Sequence, residues 1–460
     1  VILTLADIQR CLSGMADDGM EGIAIHAVRT DSRAVTDGDL YFCIEGERFD
    51  GHEFALQAVR AGAAAIVASK IPEQEVTEAG VPVFMVRDTV EALGQLAACY
   101  RSKCKAKLIA VTGTAGKTTV KELLGEVCSA RYSVAKNYRN FNNQIGLPIS
   151  MLQASEKQDL WIMECGISLA GDMAELGPIA CPDVAVITNI GPGHLQGLGD
   201  IEGVAKAKAS LLRYLQPGGV GVVSMDYPQL WKAATEICPE PVGFSTMNEQ
   251  APFFCLFLGA DQFGSGRFLL RTPKGEVEFD APFCGEHFAE NLAAVAAAAH
   301  TVGLGPQHVV DGASRFNADN QRFCPRPVGN ITLIDDTYNA NPLSMKRSIE
   351  TAKCIAEDRS LILLLGDMLE LGNEAALRHR ELGEVLALVK PDAVYWKGGH
   401  IEDVRSAYQN VLPLNDPKSF AKDWLEMKIH DAVVLFKGSR SMKMEEYAKA
   451  LKETLEGDAS

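Results

Sequence analysis

Residues 108–119 read LIAVTGTAGKTT: an apolar run, Leu108–Val111, then a glycine-rich turn, then a lysine followed by two threonines. The apolar run predicts a buried strand, and the turn ends where a helix can begin, so the stretch predicts the strand–loop–helix unit of an α/β sheet. Backbone N–H groups of the turn formed by Gly113, Thr114, Ala115 and Gly116 can face an anion. Lys117 can neutralise it, and Thr118 or Thr119 can offer a hydroxyl to Mg²⁺. The element is shorter than a full Walker A loop, because Val111 stands where a glycine five residues before Gly116 is required. Glycines also serve in ordinary strand-to-helix turns; the strand before and the lysine after favour a phosphate cradle here.

Working outward, further apolar runs at Leu160–Met163, Val184–Thr188 and Val220–Ser224 alternate with helical stretches, the signature of a parallel sheet. Between Phe253 and Phe283 short aromatic-rich runs broken by Thr272-Pro273-Lys274-Gly275 predict a small antiparallel insertion at the sheet edge. Upstream, Leu40–Ile44, His52–Ala61, Ala64–Ala68 and Val83–Val86 read as strand, helix, strand and strand. Downstream, Ile331–Ile334, Leu361–Leu365, Ala393–Trp396 and Ala432–Phe436 form a third α/β series. The expectation is an α/β chain of three domains, 1–86, 87–322 and 323–460, with the phosphate loop in the central one.

Composition narrows the function classes. With 460 residues, 47% hydrophobic and 23% charged, the chain has enough apolar material for about three cores. A net charge of −16 argues against nucleic acid as a partner, since phosphate neutralisation needs a basic surface. Twelve cysteines lie singly without a CxxC pair, so reduced, mostly buried thiols are expected. No apolar run is long enough to span a bilayer. The longest, Leu292–Ala299, reads as an alanine-rich core helix interrupted by His300. The opening residues lack the charged and apolar regions of a signal peptide, so a cytoplasmic location is expected. Nothing in the sequence calls for membrane insertion or an obligate protein partner.

Ligands of open α/β sheets sit at the carboxyl ends of strands. Polar residues that end apolar runs are therefore candidates: Glu164, Asn189 with His194, Asp335 with Asp336, Asp367 and Lys437. Each alone is often a cap or a solvated strand end. Glu164 and His194 would flank the Lys117 loop on neighbouring strands, where a second cation is conceivable, Glu164 supplying the oxygens that Mg²⁺ prefers. Lys206 and Lys208 read as solvating a helix face, although a neutral lysine amine can also add CO₂ to give an anionic carbamate. The stretch 137–148, NYRNFNNQIGLP, holds four asparagines. Such a loop is either a set of side-chain turns or a binding surface for a polar or phosphorylated substrate.

These residues together resemble the Mur ligases, ATP-dependent amide ligases of bacterial cell-wall precursors, and the resemblance runs nearly end to end. It implies that 112–119 is the family's phosphate loop and that 140–148, with Asn140 and Asn143, is its asparagine motif. It further implies that Glu164 and His194 bind metal beside Thr118, and that Lys208 is the carbamylated lysine, which displaces the reading as a solvated face. Two Mg²⁺ ions are expected. Gly285-Glu286-His287 with Asn291 and Ala293-Ala294 is similar to the adenine-binding stretch, with Phe288 in place of the usual asparagine. Arg322 and Asp335 match residues that reach the nucleotide, although Gln321 replaces a glycine. Thr30-Asp31-Ser32-Arg33, Gly46 and Phe49-Asp50-Gly51-His52 look like the uridine-nucleotide domain shared by the third- and fourth-residue ligases, so Ser32, Arg33, Gly46 and Asp50 are expected to bind substrate. Asn339–Met345 (NANPLSM), Gly366–Gly372 (GDMLELG) and Lys437–Glu445 (KGSRSMKME) resemble the branch that adds D-alanyl-D-alanine, and no DNPR-type motif of the other branch occurs. The implied reactants are UDP-N-acetylmuramoyl-tripeptide, D-alanyl-D-alanine and ATP.

Overall fold

The computed structural model describes residues 3–458 apart from 14–22, 47, 71–73, 139, 318–320 and 428. Three mainly parallel sheets follow one another along the chain. The first has four strands in the spatial order Val28–Arg29, Leu40–Phe42, Ala65–Ala68, Val83–Met85, all parallel. A two-stranded antiparallel pair, Leu3–Thr4 with Ala24–Ile25, lies beside it in sequence.

The central sheet has nine strands. From one edge these are Gly275–Ala281, Gly266–Thr272, Phe253–Ala260, Val242–Ser245, Val220–Ser224, Val184–Ile187, Lys107–Thr112, Leu160–Glu164 and Val134–Lys136. The last seven run parallel, and the first two add the expected antiparallel insertion at the edge. The Lys107–Thr112 strand is apolar from Leu108 to Val111 because both its faces are covered. Its neighbours are Leu160–Glu164 and Val184–Ile187, so the strand order alone brings Glu164 and the loop ending at His194 to the two flanks of the phosphate loop, as the sequence predicts.

The third sheet runs Cys324–Val328, Ile331–Asp335, Ala432–Lys437, Ser360–Gly366, Ala393–Lys397, Leu412–Pro413, parallel except for the first pair, which gives the Rossmann-like end of the chain. The helix Glu286–Thr301 is buried along most of its length against the central sheet. Its run of alanines combines the highest helix propensity with side chains small enough for close packing. It continues through His300 to Thr301, so the expected interruption does not occur; His300 packs edge-on against Phe253 instead.

The expectation of wholly reduced thiols fails at one place. Cys11, on the Leu5–Ser13 helix, is bonded to Cys99, on the Thr89–Lys103 helix. Two cysteines 88 residues apart carry no spacing signal, and only the packing of those helices brings them together. Among the described residues no helix is long and apolar enough to cross a membrane.

Candidate active site

The phosphate loop is shaped by two glycines that no other residue can replace cheaply. Gly116 has φ of 78°, and a Cβ on it would collide with the Asn291 side chain; one on Gly113 would collide with Thr188. The helix Lys117–Cys128 starts immediately afterwards, its first backward hydrogen bond running from the Val120 N–H to the Gly116 carbonyl. The N–H groups of Lys117, Thr118 and Thr119 therefore have no carbonyl one turn back and mark the positive end of the helix dipole. Two N–H groups of the turn itself are occupied internally, contrary to expectation. Thr114 donates to the Asn189 carbonyl at 3.1 Å and Ala115 to Asn189 Oδ1 at 2.8 Å, while Thr188 Oγ1 donates to the Ala115 carbonyl at 2.8 Å. The loop of residues 188–194 thus braces the cradle, which leaves the helix start as the place whose N–H groups have no carbonyl one turn back.

Lys117 Nζ donates to the Gly113 carbonyl at 2.9 Å, and the buried Lys208 Nζ donates to that same oxygen at 3.0 Å. Burial lowers the pKa of Lys117, a shift that Glu164 opposes and Arg322 assists. Lys208, 1% exposed, has its pKa pushed well down by burial and by the like charge of Lys117, a shift toward the neutral amine. Thr118 Oγ1 donates to Glu164 Oε2 at 2.7 Å, and Asn142 Nδ2 donates to Glu164 Oε1 at 2.7 Å. Asn137 clamps the Glu164 backbone from both sides, accepting its N–H and donating to its carbonyl, each at 3.1 Å. Asn143 Oδ1 accepts from Gly146 N–H at 2.8 Å at the start of the Gly146–Gln153 helix. The asparagine stretch is therefore both a set of turns and a support for the Glu164 carboxylate.

The third sheet closes the other side of one cavity of about 830 Å³. Thr114–Thr119, Asn140, Asn143, Glu164, His194 and Asn291 line it from the central part, and Arg322, Asp336, Tyr338, Asn339, Asn341, Arg347 and Lys437 line it from beyond. NANPLSM reaches this wall through Asn339, Asn341 and Ser344 and KGSRSMKME through Lys437, whereas no residue of GDMLELG lines it. Lys437 Nζ donates to Asp336 Oδ2 at 2.6 Å and to the Asn339 carbonyl at 3.1 Å, and Leu369 N–H donates to Ser439 Oγ at 2.9 Å. Glu370 Oε2 lies 2.6 Å from His194 Nδ1 across the gap, and that partner holds the Glu370 carboxyl below its usual range. Arg322 lies 3.8 Å above the Tyr338 ring, between Gln321 and Phe323, both at positive φ.

The Lys437–Asp336 pair is buried, the lysine 2% and the aspartate 13% exposed at the side chain. Replacing Lys437 by methionine leaves the Asp336 charge without its counter-ion and is expected to cost about 3–5 kcal/mol of stability, read by urea unfolding. A loss under about 1 kcal/mol would show that water reaches the pair.

Not every predicted residue reaches the cavity. Asp335 is turned to its own Thr337, whose Oγ1 donates to it at 2.7 Å, and burial raises its pKa; the neighbouring Asp336 lines the cavity instead. Lys208 sits behind the loop, and Lys206 is exposed on the same helix. Asp367 is occupied by Trp396 Nε1 at 2.9 Å and by the N–H groups of Gly399 at 2.8 Å and His400 at 3.2 Å, which makes it a structural clasp. Ser32 and Arg33 lie on the short helical turn Ser32–Ala34, and Gly46 and Asp50 on the segment that follows the Leu40–Phe42 strand of the first sheet. Asp50 accepts from Lys70 Nζ at 2.6 Å, which holds its carboxyl far below the usual range, while Arg33 pairs with Asp31 and Ser32 Oγ donates to Gln57. Among the described residues no group of three or more His, Cys, Asp and Glu side chains is set to hold a metal alone. The oxygens of Thr118 and Glu164 fit Mg²⁺ best when phosphates and water complete its shell.

Family models match in chain order: the Mur ligase family catalytic domain over residues 24–101, the Mur ligase middle domain over 111–299 and the Mur ligase glutamate ligase domain over 321–440. The UDP-N-acetylmuramoyl-tripeptide--D-alanyl-D-alanine ligase of Bacillus subtilis is 34% identical, covering 98% of each chain. The crystal structure of MurF from Acinetobacter baumannii superposes with a TM-score of 0.87 at 28% identity, covering 98% of this chain and 99% of that one. MurF from Thermotoga maritima in complex with ADP does so with 0.84 at 27% identity, covering 95% and 100%. Sheet order, phosphate cradle and end-to-end similarity agree, and the chain belongs to the Mur ligase family.

Proposed function

We infer that the protein joins D-alanyl-D-alanine to UDP-N-acetylmuramoyl-tripeptide, converting ATP to ADP and phosphate. The observation that carries this reading is the meeting, in one cavity, of the phosphate-loop helix with NANPLSM and KGSRSMKME, while GDMLELG contacts both sides through Glu370 to His194 and Leu369 to Ser439. The division of labour follows the chain. Residues 1–86 hold the uridine nucleotide through Ser32, Arg33, Gly46 and Asp50, residues 87–322 hold ATP, and residues 323–460 close on it with Arg322 at the junction. A cytoplasmic location belongs to the same reading, since ATP is a reactant.

An amide does not form from a carboxylate in water, because the carboxylate is a poor electrophile. In the proposed sequence a terminal carboxylate oxygen of the tripeptide bonds to the γ-phosphorus as the bond to the ADP oxygen breaks. The dipeptide amine then bonds to the acyl carbon, loses a proton, and phosphate leaves. Negative charge gathers on phosphoryl oxygens in the first step, which the Lys117 ammonium and the N–H groups of Lys117–Thr119 stabilise. Bound Mg²⁺ supplies further neutralisation of those oxygens. Thr118 and Glu164 would hold one ion and Glu164 and His194 a second, which Lys208 would reach only as a carbamate, formed with CO₂, that has left the Gly113 carbonyl. Only a neutral amine adds CO₂, and burial shifts Lys208 toward that form. Asn140 and Asn143 would contact the substrate, and Asn291 the nucleotide, all three lining the one cavity.

The test is ADP release measured with all combinations of the two acceptor substrates. ADP and phosphate are expected only with both, and hydroxylamine in place of the dipeptide should yield an acyl hydroxamate. AMP and pyrophosphate as products, or ADP release indifferent to both acceptors, would overturn the reading.

A further inference from the structure

Glu290 has no place in the chemistry above, yet it is the most heavily bonded carboxylate beside the site. Its side chain is 1% exposed and is not part of the cavity wall. Oε2 accepts from Asn189 Nδ2 at 2.7 Å and from Arg347 NH1 at 2.7 Å, and Oε1 accepts from Tyr227 OH at 2.7 Å and Arg347 NH2 at 3.1 Å. Arg347 NH2 also donates to the Tyr227 oxygen at 2.8 Å.

The origins of these groups give the arrangement its meaning. Asn189, Tyr227 and Glu290 belong to the central sheet and its helices, whereas Arg347 is on the Pro342–Ala356 helix that follows the first parallel strand of the third sheet. Asn189 is also the residue whose Oδ1 takes the Ala115 N–H and whose carbonyl takes the Thr114 N–H. Asn291, next to Glu290 on the same helix, is the residue against which Gly116 is packed. One hydrogen-bonded path therefore runs from a cation of the third domain, through a buried carboxylate, into the backbone of the phosphate loop.

If the third domain moves away, Glu290 keeps two neutral donors and loses its only cation in this set, a state that burial penalises heavily. Burial works against the Arg347 charge, but Glu290 outweighs it and holds the guanidinium pKa above its usual value. The planar fork, bonded to both carboxylate oxygens, suits a contact that must be made in one orientation only. We propose that Arg347 and Glu290 form an inter-domain latch that couples closure of the third domain to the shape of the phosphate loop, making Arg347 and Glu290 positioning residues for ATP. The inference rests on the ligase reading for its assay but concerns residues to which that reading gives no role.

The experiment compares wild type with Arg347→Met, Glu290→Gln and the double variant in the full ligation assay, alongside ADP binding and melting temperature measured on the same proteins. Each single variant is expected to raise KM for ATP and weaken ADP binding by a factor within about 5–150, the usual range for coupled sites. KM for the dipeptide should move far less. The double variant should be no worse than the poorer single one, because the two residues act as a unit. Arg347→Lys, which keeps charge without the fork, should fall between wild type and Arg347→Met. Lower melting temperatures with unchanged ADP affinity would reduce the pair to a structural contact and overturn the proposal, as would additive effects in the double variant. A wild type that makes no peptide but whose ADP affinity follows the predicted pattern would sink the ligase reading and leave the latch standing.

Discussion

Replacing Lys117 by alanine is expected to abolish peptide formation and acceptor-dependent ADP release while leaving the fold intact. The side chain spans the phosphate loop to the Gly113 carbonyl at 2.9 Å, beside the Thr118–Glu164 pair at the helix start. In the proposed reaction this ammonium would receive charge that develops on the transferred phosphoryl group. Loss of one preorganised donor at such a point lowers kcat by about 10²–10³, and loss of an ammonium falls at the upper end of that range. Stability should change little or rise, since burial already pushes the Lys117 ammonium toward its neutral form. Lys117→Arg keeps the charge but brings a planar fork into a cradle fitted to a single nitrogen, so it should recover only a small part of the activity. The measurement is kcat for ADP release at saturating substrates, with the melting temperature as control. A Lys117→Ala protein within tenfold of wild type would remove the phosphate loop from the chemistry.

How much of this was legible before folding depended on whether a residue's role is local. The strand, two glycines, lysine and threonine of 108–119 form a continuous piece of backbone, so their pattern survives in the sequence, as does the tendency of polar residues such as Glu164 to sit at strand ends. Asp335 and Asp336 show where that logic stops. Successive side chains of a strand face opposite ways, and with two adjacent carboxylates at a strand terminus the sequence does not tell which one turns toward Lys437. Glu290, Arg347 and Glu370 acquire meaning only through partners 57 to 176 positions away, such as Arg347 for Glu290 and His194 for Glu370. Their nearest sequence signal was chemical: a glutamate inside an alanine-rich helix that is otherwise buried needs a cation, but the helix does not say whose. Cys11 and Cys99 were unreadable for the same reason.

Lys208 carries the other large prediction, in which activity and stability should move in opposite directions. Its amine is 1% exposed, donates to the Gly113 carbonyl at 3.0 Å, and feels Lys117, a charge of its own sign. Burying such a nitrogen costs several kcal/mol if it is charged and less if it is neutral, so the fold gains nothing from a lysine at this position. Methionine has a similar length and no charge, and Lys208→Met should raise the melting temperature by several degrees while reducing kcat by at least about 10², the scale of one lost electrostatic contact in a transition state. The two effects separate function from scaffolding, because a residue that merely props the loop would lower both. If the amine acts as a carbamate, Lys208→Ala should regain part of its activity with acetate, which returns a carboxylate to the space the longer side chain leaves. Wild-type activity should likewise fall in buffer stripped of CO₂ and return with bicarbonate. Insensitivity to both would leave Lys208 acting through the Gly113 carbonyl alone, and a Lys208→Met enzyme with undiminished kcat would leave it no part in ligation at all.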